Sequence, residues 1–397
     1  MEKKMKLATQ AVHVGDRRKP SEAIPVTTPI VSAASYIYDD IETVDKVFGD
    51  EIQGYAYARY DSPTNHALEE LLTALEGGAG TLATASGMVA LQFAIQTALT
   101  DRRKSVVAAG ALYGATTKLL MNIFEPTGVD VRLVDICNLD EVAAAIAEAK
   151  PGCVVMETVS NPLLRVADVE AIAKLTRAAG GVLIVDNTFA TPMLVRPLEL
   201  GAHFSIHSLT KYLSGHGDVM GGSITCDAEN LPTLRALSRT CGPIMGAFEC
   251  YLAMRGIKTF PLRMERQCRN AAEVAAWLAS HPAVARVNYP GDANHPDAAT
   301  IGRLFPDGLR GAMVSFDLKD AGREQVFAFM NRLKLVVKAT SLGDVHTMVL
   351  YPAIASHRDW APKQRLRMGI GDGLVRLSVG IEAMEDVIAD LDQALRG

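Results

Sequence analysis

Five short segments of this chain could do chemistry, and four of them set a reactive or conformationally permissive residue where an apolar strand ends or a helix begins. Asp186 closes the apolar run Val182-Leu183-Ile184-Val185. Carboxyl ends of parallel strands are where open α/β sheets place ligands, and a carboxylate there can keep a ring nitrogen protonated. Lys211 follows 25 positions later in Ser208-Leu209-Thr210-Lys211. An amine among hydroxyl groups behind an apolar strand must titrate low to act as nucleophile and base. Ser86-Gly87-Met88 joins a strand to a helix, where exposed N–H groups and the helix dipole favour a phosphate. Gly87 would permit close approach. Tyr113-Gly114 precedes another apolar helix and offers a ring to stack on a planar group. Arg376 stands inside the apolar strand Leu374-Val375-Arg376-Leu377-Ser378. A buried guanidinium needs a partner, and a substrate carboxylate held by a bidentate fork would serve.

Each segment also has a plain alternative: a helix-capping aspartate, a surface lysine, an ordinary strand-to-helix turn, a core tyrosine, an internal salt bridge. Together they offer an amine for a Schiff base, an acid for a pyridine nitrogen, a phosphate cup and an aromatic lid. Those are the four things that pyridoxal 5'-phosphate (PLP) requires of a protein.

The elements that must position these residues alternate. Leu68, Leu71, Leu72 and Leu75 fall on one helical face, and Gly77-Gly78 ends that helix. A strand from Thr81 to Ala85 leads into a helix running through Leu99. Val129 to Ile136 reads as a strand. Asn138 caps a helix, with Glu141 at the capping-box position. Cys153 to Ser160 is a strand, Asp168 caps a helix that stops at Gly180, and Val182–Asp186 and His203 to Leu209 are strands. This rhythm predicts an α/β fold with a mainly parallel central sheet covered by helices on both faces. Beyond about residue 255 the rhythm becomes α+β: a helix from Leu262 to Ser280, strands at Val284 to Tyr289, Met313 to Leu318 and Leu374 to Val379, a helix from Arg323 to Lys334, and a last helix from Glu385. That pattern predicts a smaller C-terminal domain. The first ~50 residues, with Pro20, Pro25 and Pro29, lack sustained periodicity, although Ile30-Val31 and Tyr36-Ile37-Tyr38 favour packing over disorder.

The bulk composition excludes several classes. Of 397 residues 49% are hydrophobic and 21% charged, with a net charge of -5, so no electrostatic feature calls for nucleic acid or an anionic membrane. The six cysteines form no CxxC pair, which signals neither a metal site nor a disulfide framework. Met1-Glu2-Lys3-Lys4-Met5-Lys6 is not followed by an apolar signal core, and no apolar run reaches the ~18 residues of a membrane span. The expectation is a soluble cytoplasmic protein with free thiols.

The wording and order of the motifs carry a resemblance. Tyr55-Ala56-Tyr57-Ala58-Arg59, Ser86-Gly87-Met88, Leu112-Tyr113-Gly114, Glu157-Thr158-Val159-Ser160-Asn161-Pro162, Val185-Asp186-Asn187-Thr188-Phe189-Ala190-Thr191-Pro192 and His207-Ser208-Leu209-Thr210-Lys211-Tyr212 resemble the Cys/Met-metabolism PLP family. Its members include cystathionine γ-synthase, cystathionine lyases, methionine γ-lyase and O-acylhomoserine sulfhydrylases. Met254-Arg255-Gly256-Ile257-Lys258-Thr259, Ser341-Leu342-Gly343-Asp344 and Gly373-Leu374-Val375-Arg376-Leu377-Ser378-Val379-Gly380 extend it from about residue 8 to the end.

The resemblance implies the type I fold of PLP-dependent transferases, like aspartate aminotransferase. It implies an arm over residues 1–55 that contacts a neighbouring subunit, a PLP-binding large domain over 56–255 and a C-terminal domain over 256–397. Lys211 would carry the cofactor and shuttle protons, and Asp186 would pair the pyridine nitrogen. Ser86, Gly87, Met88, Ser208 and Thr210 would form the phosphate cup. Tyr113 would stack on the ring and act as acid or base. Asn161, Ser341 and Arg376 would hold the carboxylate side of an amino-acid substrate. Tyr57 and Arg59 would reach the phosphate of the neighbouring subunit, making the active unit a dimer, paired into a tetramer.

Substrate choice rests on fewer residues. Thr340 stands where cystathionine-specific relatives commonly carry glutamate, and Ser341-Leu342-Gly343-Asp344 reads closer to methionine γ-lyase. Ala115 replaces the cysteine typical of methionine γ-lyases, and Ser238-Arg239 their Lys-Asp pair. Asp61-Ser62-Pro63-Thr64 and Met245-Gly246-Ala247 also depart from the family's usual wording. The expectation is γ-elimination from methionine, homocysteine or a related thioether; the alternatives are cystathionine γ-lyase and an O-acylhomoserine-dependent γ-synthase or sulfhydrylase.

Overall fold

The computed structural model describes residues 5–16, 23–358 and 360–397. Pro20 and the first four residues, on which expectations were placed, lie outside the described residues.

Twelve strands build two sheets among the described residues. The first comprises β1 (Gly80–Thr84), β2 (Ser105–Ala109), β3 (Asp130–Val134), β4 (Cys153–Glu157), β5 (Val182–Asp186), β6 (Phe204–Ser208) and β7 (Gly222–Cys226). Their order is β1-β7-β6-β5-β4-β2-β3. Only β7 runs antiparallel to its neighbours, so β1, β4, β5 and β6 all end on one edge. The second sheet comprises β8 (Val284–Asn288), β9 (Met313–Leu318), β10 (Val337–Lys338), β11 (Met348–Leu350) and β12 (Leu374–Ser378), in the order β10-β11-β12-β9-β8.

Adjacent residues of a strand face opposite sides of the sheet. Leu82 of β1 accordingly joins one apolar cluster and Ala83 the other. The first cluster packs the helices Gly87–Leu99, Leu139–Ala149 and Val169–Ala178; the second packs Pro63–Glu76 and Ala247–Ile257. The sheet is therefore mainly parallel and covered on both faces. Helix Phe260–Ser280 bridges the sheets: Phe260, Met264 and Cys268 enter the second cluster, while Ala271, Val274 and Leu278 enter a third, over the smaller sheet.

Local signals account for most helix ends. Ser62 caps Pro63–Glu76 by accepting from Asn65 N, Pro63 takes the first turn, and Gly77 closes it at φ 74°. Asp168 caps Val169–Ala178 through Ala171 N. Two expectations need correction. Asn138 accepts from Glu141 N, but Glu141 Oε1 accepts from Asp135 N rather than from Asn138, so the capping box is not reciprocal. The N-terminal stretch is more regular than its composition predicts, with helices at Leu7–His13 and Ile41–Phe48; Asp40 caps the second through Thr43 N.

Candidate active site

The edge where β4, β5 and β6 end opens into a cavity of about 480 Å³. Its wall brings together Ser86, Gly87, Met88, Tyr113, Asn161, Asp186, Ser208, Thr210, Lys211, Thr340 and Arg376. These span almost 300 positions of sequence, and most stand just beyond a strand or at a helix start.

The phosphate-cup candidates lie on two turns, after β1 and after β6. Ser86 Oγ accepts from Val89 N at 3.2 Å and so caps helix Gly87–Leu99. The first amides of a helix have no intrahelical acceptor. A Cβ at Gly87 would lie 3.0 Å from Ser208 Cβ and 3.1 Å from its Cα; only glycine lets the two turns close on a small anion. Ser208 N donates to Thr188 Oγ1 at 2.9 Å, and Thr188 N donates to Asp186 Oδ1 at 3.0 Å. Thr210 Oγ1 exchanges hydrogen bonds with the Gly221 backbone at 3.2 and 3.4 Å.

A second chain of bonds runs from the lysine to the smaller sheet. Lys211 Nζ donates to Ser341 Oγ at 2.9 Å. Arg376 Nη2 donates to Ser341 O at 3.2 Å, and Nη1 to Asn161 Oδ1 at 2.9 Å. Arg376 is buried, its Nε has no partner, and its guanidinium lies 6.0 Å from the Phe189 ring centre. Burial, with the Arg376 charge adding to it, lowers the Lys211 ammonium to about 8. Burial likewise lowers Arg376 to about 10. Asp186 moves the other way: burial raises its pKa, and the Thr188 hydrogen bonds and His207 oppose the rise.

The donor set fits PLP. It has a desolvated amine, a half-buried acid held by Thr188, a glycine-walled cup, a tyrosine at the mouth and a guanidinium with a spare donor. Tyr113 keeps 46% of its surface exposed, so its ring is free to cover a ligand.

Three predicted residues are not in this wall: Ser341, which meets it through Lys211 and Arg376, and Tyr57 and Arg59. Arg59 lines a different cavity, beside Tyr60, Asp61 and Arg239. There it donates to Arg239 O and lies 4.8 Å from the Tyr60 ring centre and 5.6 Å from that of Tyr57. Arg239 in turn pairs with Asp50 at 2.7 Å, so the Arg239 departure and Arg59 share one surface.

Sequence reasoning missed Glu157, Thr188 and Ser356, all in the wall. Glu157 was within reach, since it closes the apolar run Cys153-Val154-Val155-Met156 as Asp186 closes its own. Ser356 carries no such signal; its carbonyl abuts Gly114, where a Cβ would lie 2.5 Å away.

The sequence pattern of the family described as "Cys/Met metabolism PLP-dependent enzyme" matches residues 8–396. The L-methionine gamma-lyase of Fusobacterium nucleatum subsp. polymorphum is 41% identical over 396 residues, covering 99% of this chain and 98% of its own. The cystathionine gamma-lyase of Bacillus subtilis is 37% identical, covering 98% and 99%. Among solved structures, cystathionine gamma synthase from Xanthomonas oryzae pv. oryzae, in complex with aminoacrylate and cysteine, matches with a TM-score of 0.91 at 35% identity, over 99% of this chain and 98% of that one.

Proposed function

The chain belongs to the Cys/Met-metabolism family of PLP-dependent enzymes, and from that premise we propose that it eliminates the γ-substituent of methionine or homocysteine. With uptake of water the products are 2-oxobutanoate, ammonia and a thiol.

The observation that carries this reading is the wall supplied by residues 340–376. Arg376 is its one charged member; Thr340, Leu342, Leu350, Ala355 and Ser356 complete it. Such a wall anchors one carboxylate and offers no anion to a second ammonium. A short neutral thioether suits it better than cystathionine does.

When bound, PLP supplies an electron sink that makes protons next to the amino-acid nitrogen acidic. The chain supplies the rest. Lys211, with its ammonium lowered to about 8, is poised to hold the cofactor and to carry protons between substrate carbons. Asp186 would keep the ring nitrogen protonated. The amides of Gly87 and Met88, with Ser86, Ser208 and Thr210, would seat the phosphate. Tyr113 would lie at the ring and exchange a proton at its phenol oxygen. Arg376 and Asn161, with Ser341 behind them, orient the substrate carboxylate.

Tyr57 and Arg59 serve the site of a second copy. Ile24, Val26, Ile30, Ile37 and Ile41 are exposed along residues 24–41, with Ile37 at 97%. An apolar run of that kind fits an arm covered by another subunit, in a dimer paired into a tetramer. We read residues 1–55 as that arm, 56–255 as the large domain and 256–397 as the small one. No helix among the described residues is long and apolar enough to cross a membrane. With all six cysteines free, a cytoplasmic location is the fitting one.

A second reading, cystathionine cleavage or γ-replacement on an O-acylhomoserine, draws on Ala115 and Ser238-Arg239. One panel separates the readings: methionine, homocysteine, cystathionine, cysteine and O-acetylhomoserine, each with and without added thiol, scored for 2-oxo acid and for new thioether. Thiol and 2-oxobutanoate from methionine or homocysteine are expected. A new thioether as the main product would reverse the assignment.

A further inference from the structure

Glu157 ends β4 as Asp186 ends β5, and the two are register partners in a parallel pair. Register partners leave a sheet on the same face, so two carboxyl groups stand side by side in the cavity wall. Glu157 is 8% exposed. Its Oε1 accepts the Tyr113 amide at 2.5 Å, while Oε2 is buried and meets no donor in hydrogen-bond geometry, although the nearby Asn161 amide still favours the anion.

The surroundings are unequal for the two acids. Asp186 faces His207 from β6 and the Thr188 amide and hydroxyl, and it would pair with the ring nitrogen of bound PLP. Glu157 faces Asp186 from β5, the Tyr113 and Asn161 amides, and Arg376 from β12; the Tyr113 phenol and Lys211 line the same wall. Arg376 is already engaged with Asn161 and Ser341. Two adjacent carboxylates, one buried and one half-buried, cannot both ionise cheaply. An anionic oxygen buried without a donor costs more than a buried hydroxyl.

We propose that Glu157 is a positioning residue that carries a proton on Oε2: Oε1 fixes Tyr113 over the cavity, and the proton lets Asp186 be the ionised member of the pair. Burial first, and the Asp186 charge second, push the Glu157 carboxyl upward, to about 8. The proposal rests on the PLP reading only for why Asp186 is the ionised member.

The test uses the full chain, with and without PLP. An acid whose folded pKa lies above its unfolded value, about 4.3 for glutamate, stabilises fully below the unfolded value. That stability is lost as pH rises through the folded value. Between pH 5 and 8.5 the Tm of the wild type should therefore fall by several degrees relative to Glu157→Gln. A difference that stays constant with pH overturns the protonation. The comparison without cofactor holds even if the enzyme assignment is wrong, so the two ideas fail separately.

Positioning is read from kcat. Glu157→Gln keeps an acceptor for the Tyr113 amide and Glu157→Ala does not. The alanine variant should turn over at least about tenfold more slowly than the glutamine variant, with little change in KM. Equal kcat values overturn the positioning role. If Glu157→Gln does not fold, infrared spectra of the wild-type holoenzyme with ¹³C-labelled glutamate decide the protonation. A protonated carboxyl band at pH 7 that fades above pH 8 supports it, and its absence overturns it. Glu69→Gln assigns any contribution from Glu69, another buried glutamate that burial pushes upward.

Discussion

Arg376 Nη1 meets Asn161 Oδ1 at 2.9 Å across 215 positions of sequence, joining β12 of the small sheet to the turn beyond β4 of the large one. Through Nη2 the same guanidinium holds the Ser341 carbonyl, and Ser341 Oγ accepts from Lys211. One cation thus braces the two halves of the cavity and acts electrostatically on the Lys211 amine.

Arg376→Ala is expected to lower kcat/KM for the amino acid by roughly 10- to 150-fold, the equivalent of about 1.5–3 kcal/mol for a charge-assisted hydrogen bond. Because the Arg376 charge helps to lower Lys211, its removal should also move the Lys211 ammonium up from about 8. Steady-state kinetics check the first effect and a pH series of covalent cofactor uptake the second. An unchanged kcat/KM would remove Arg376 from the substrate site.

Lys211→Ala should abolish covalent PLP and nearly all turnover. In the wild type, uptake by the cofactor-free chain should rise about tenfold per pH unit up to about 8 and level above it, because only the neutral amine reacts. A lysine whose folded pKa is lowered contributes stability that is present above its unfolded value, near 10.4. That contribution is lost as pH falls through about 8. The cofactor-free Lys211→Met chain should accordingly outlast the wild type in thermal melts at pH 6–7. Borohydride labelling of another lysine would refute the assignment.

Arg59→Ala should weaken PLP binding although Arg59 stands apart from its own chain's cavity. Subunit mixing gives the sharper readout. Arg59→Ala chains should be weakened and Lys211→Ala chains inactive alone, but a mixed dimer holds one site with neither change if Arg59 serves its neighbour. Activity should return on mixing. No recovery, or a fully active monomer, would sink the cross-subunit role.

Thr340→Glu should shift preference towards cystathionine by about 10- to 150-fold, since a carboxylate there can pair with the distal ammonium for roughly 1.5–3 kcal/mol. Thr340 is exposed and lines the cavity, so the longer side chain has room. The measurement is kcat/KM for methionine, homocysteine and cystathionine in both proteins. A wild type that prefers cystathionine tenfold, or a mutant with an unchanged ratio, would show that Thr340 does not set specificity.

Much of this protein was legible in the chain itself, because much of it is local. Val182–Asp186 and Met313–Leu318 are strands with the bounds their apolar runs predict. Gly77 and Asp168 mark helix ends through bonds to residues only a few positions away. Asp186, Lys211 and Ser86 declared themselves for the same reason: each sits where an apolar run stops, and in a parallel sheet those stops gather on one edge.

What lay beyond the sequence depends on which strands become neighbours. Strand order β7-β6-β5-β4 sets Glu157 beside Asp186, and no spacing along the chain records that pairing. Arg376 finds Asn161 only once helix Phe260–Ser280 has seated the small sheet on the large one. Periodicity and capping express contacts within a turn or a pleat. The protonation of Lys211, Asp186 and Glu157 depends instead on burial and on charges brought from distant segments, which exist only after the chain has closed around them.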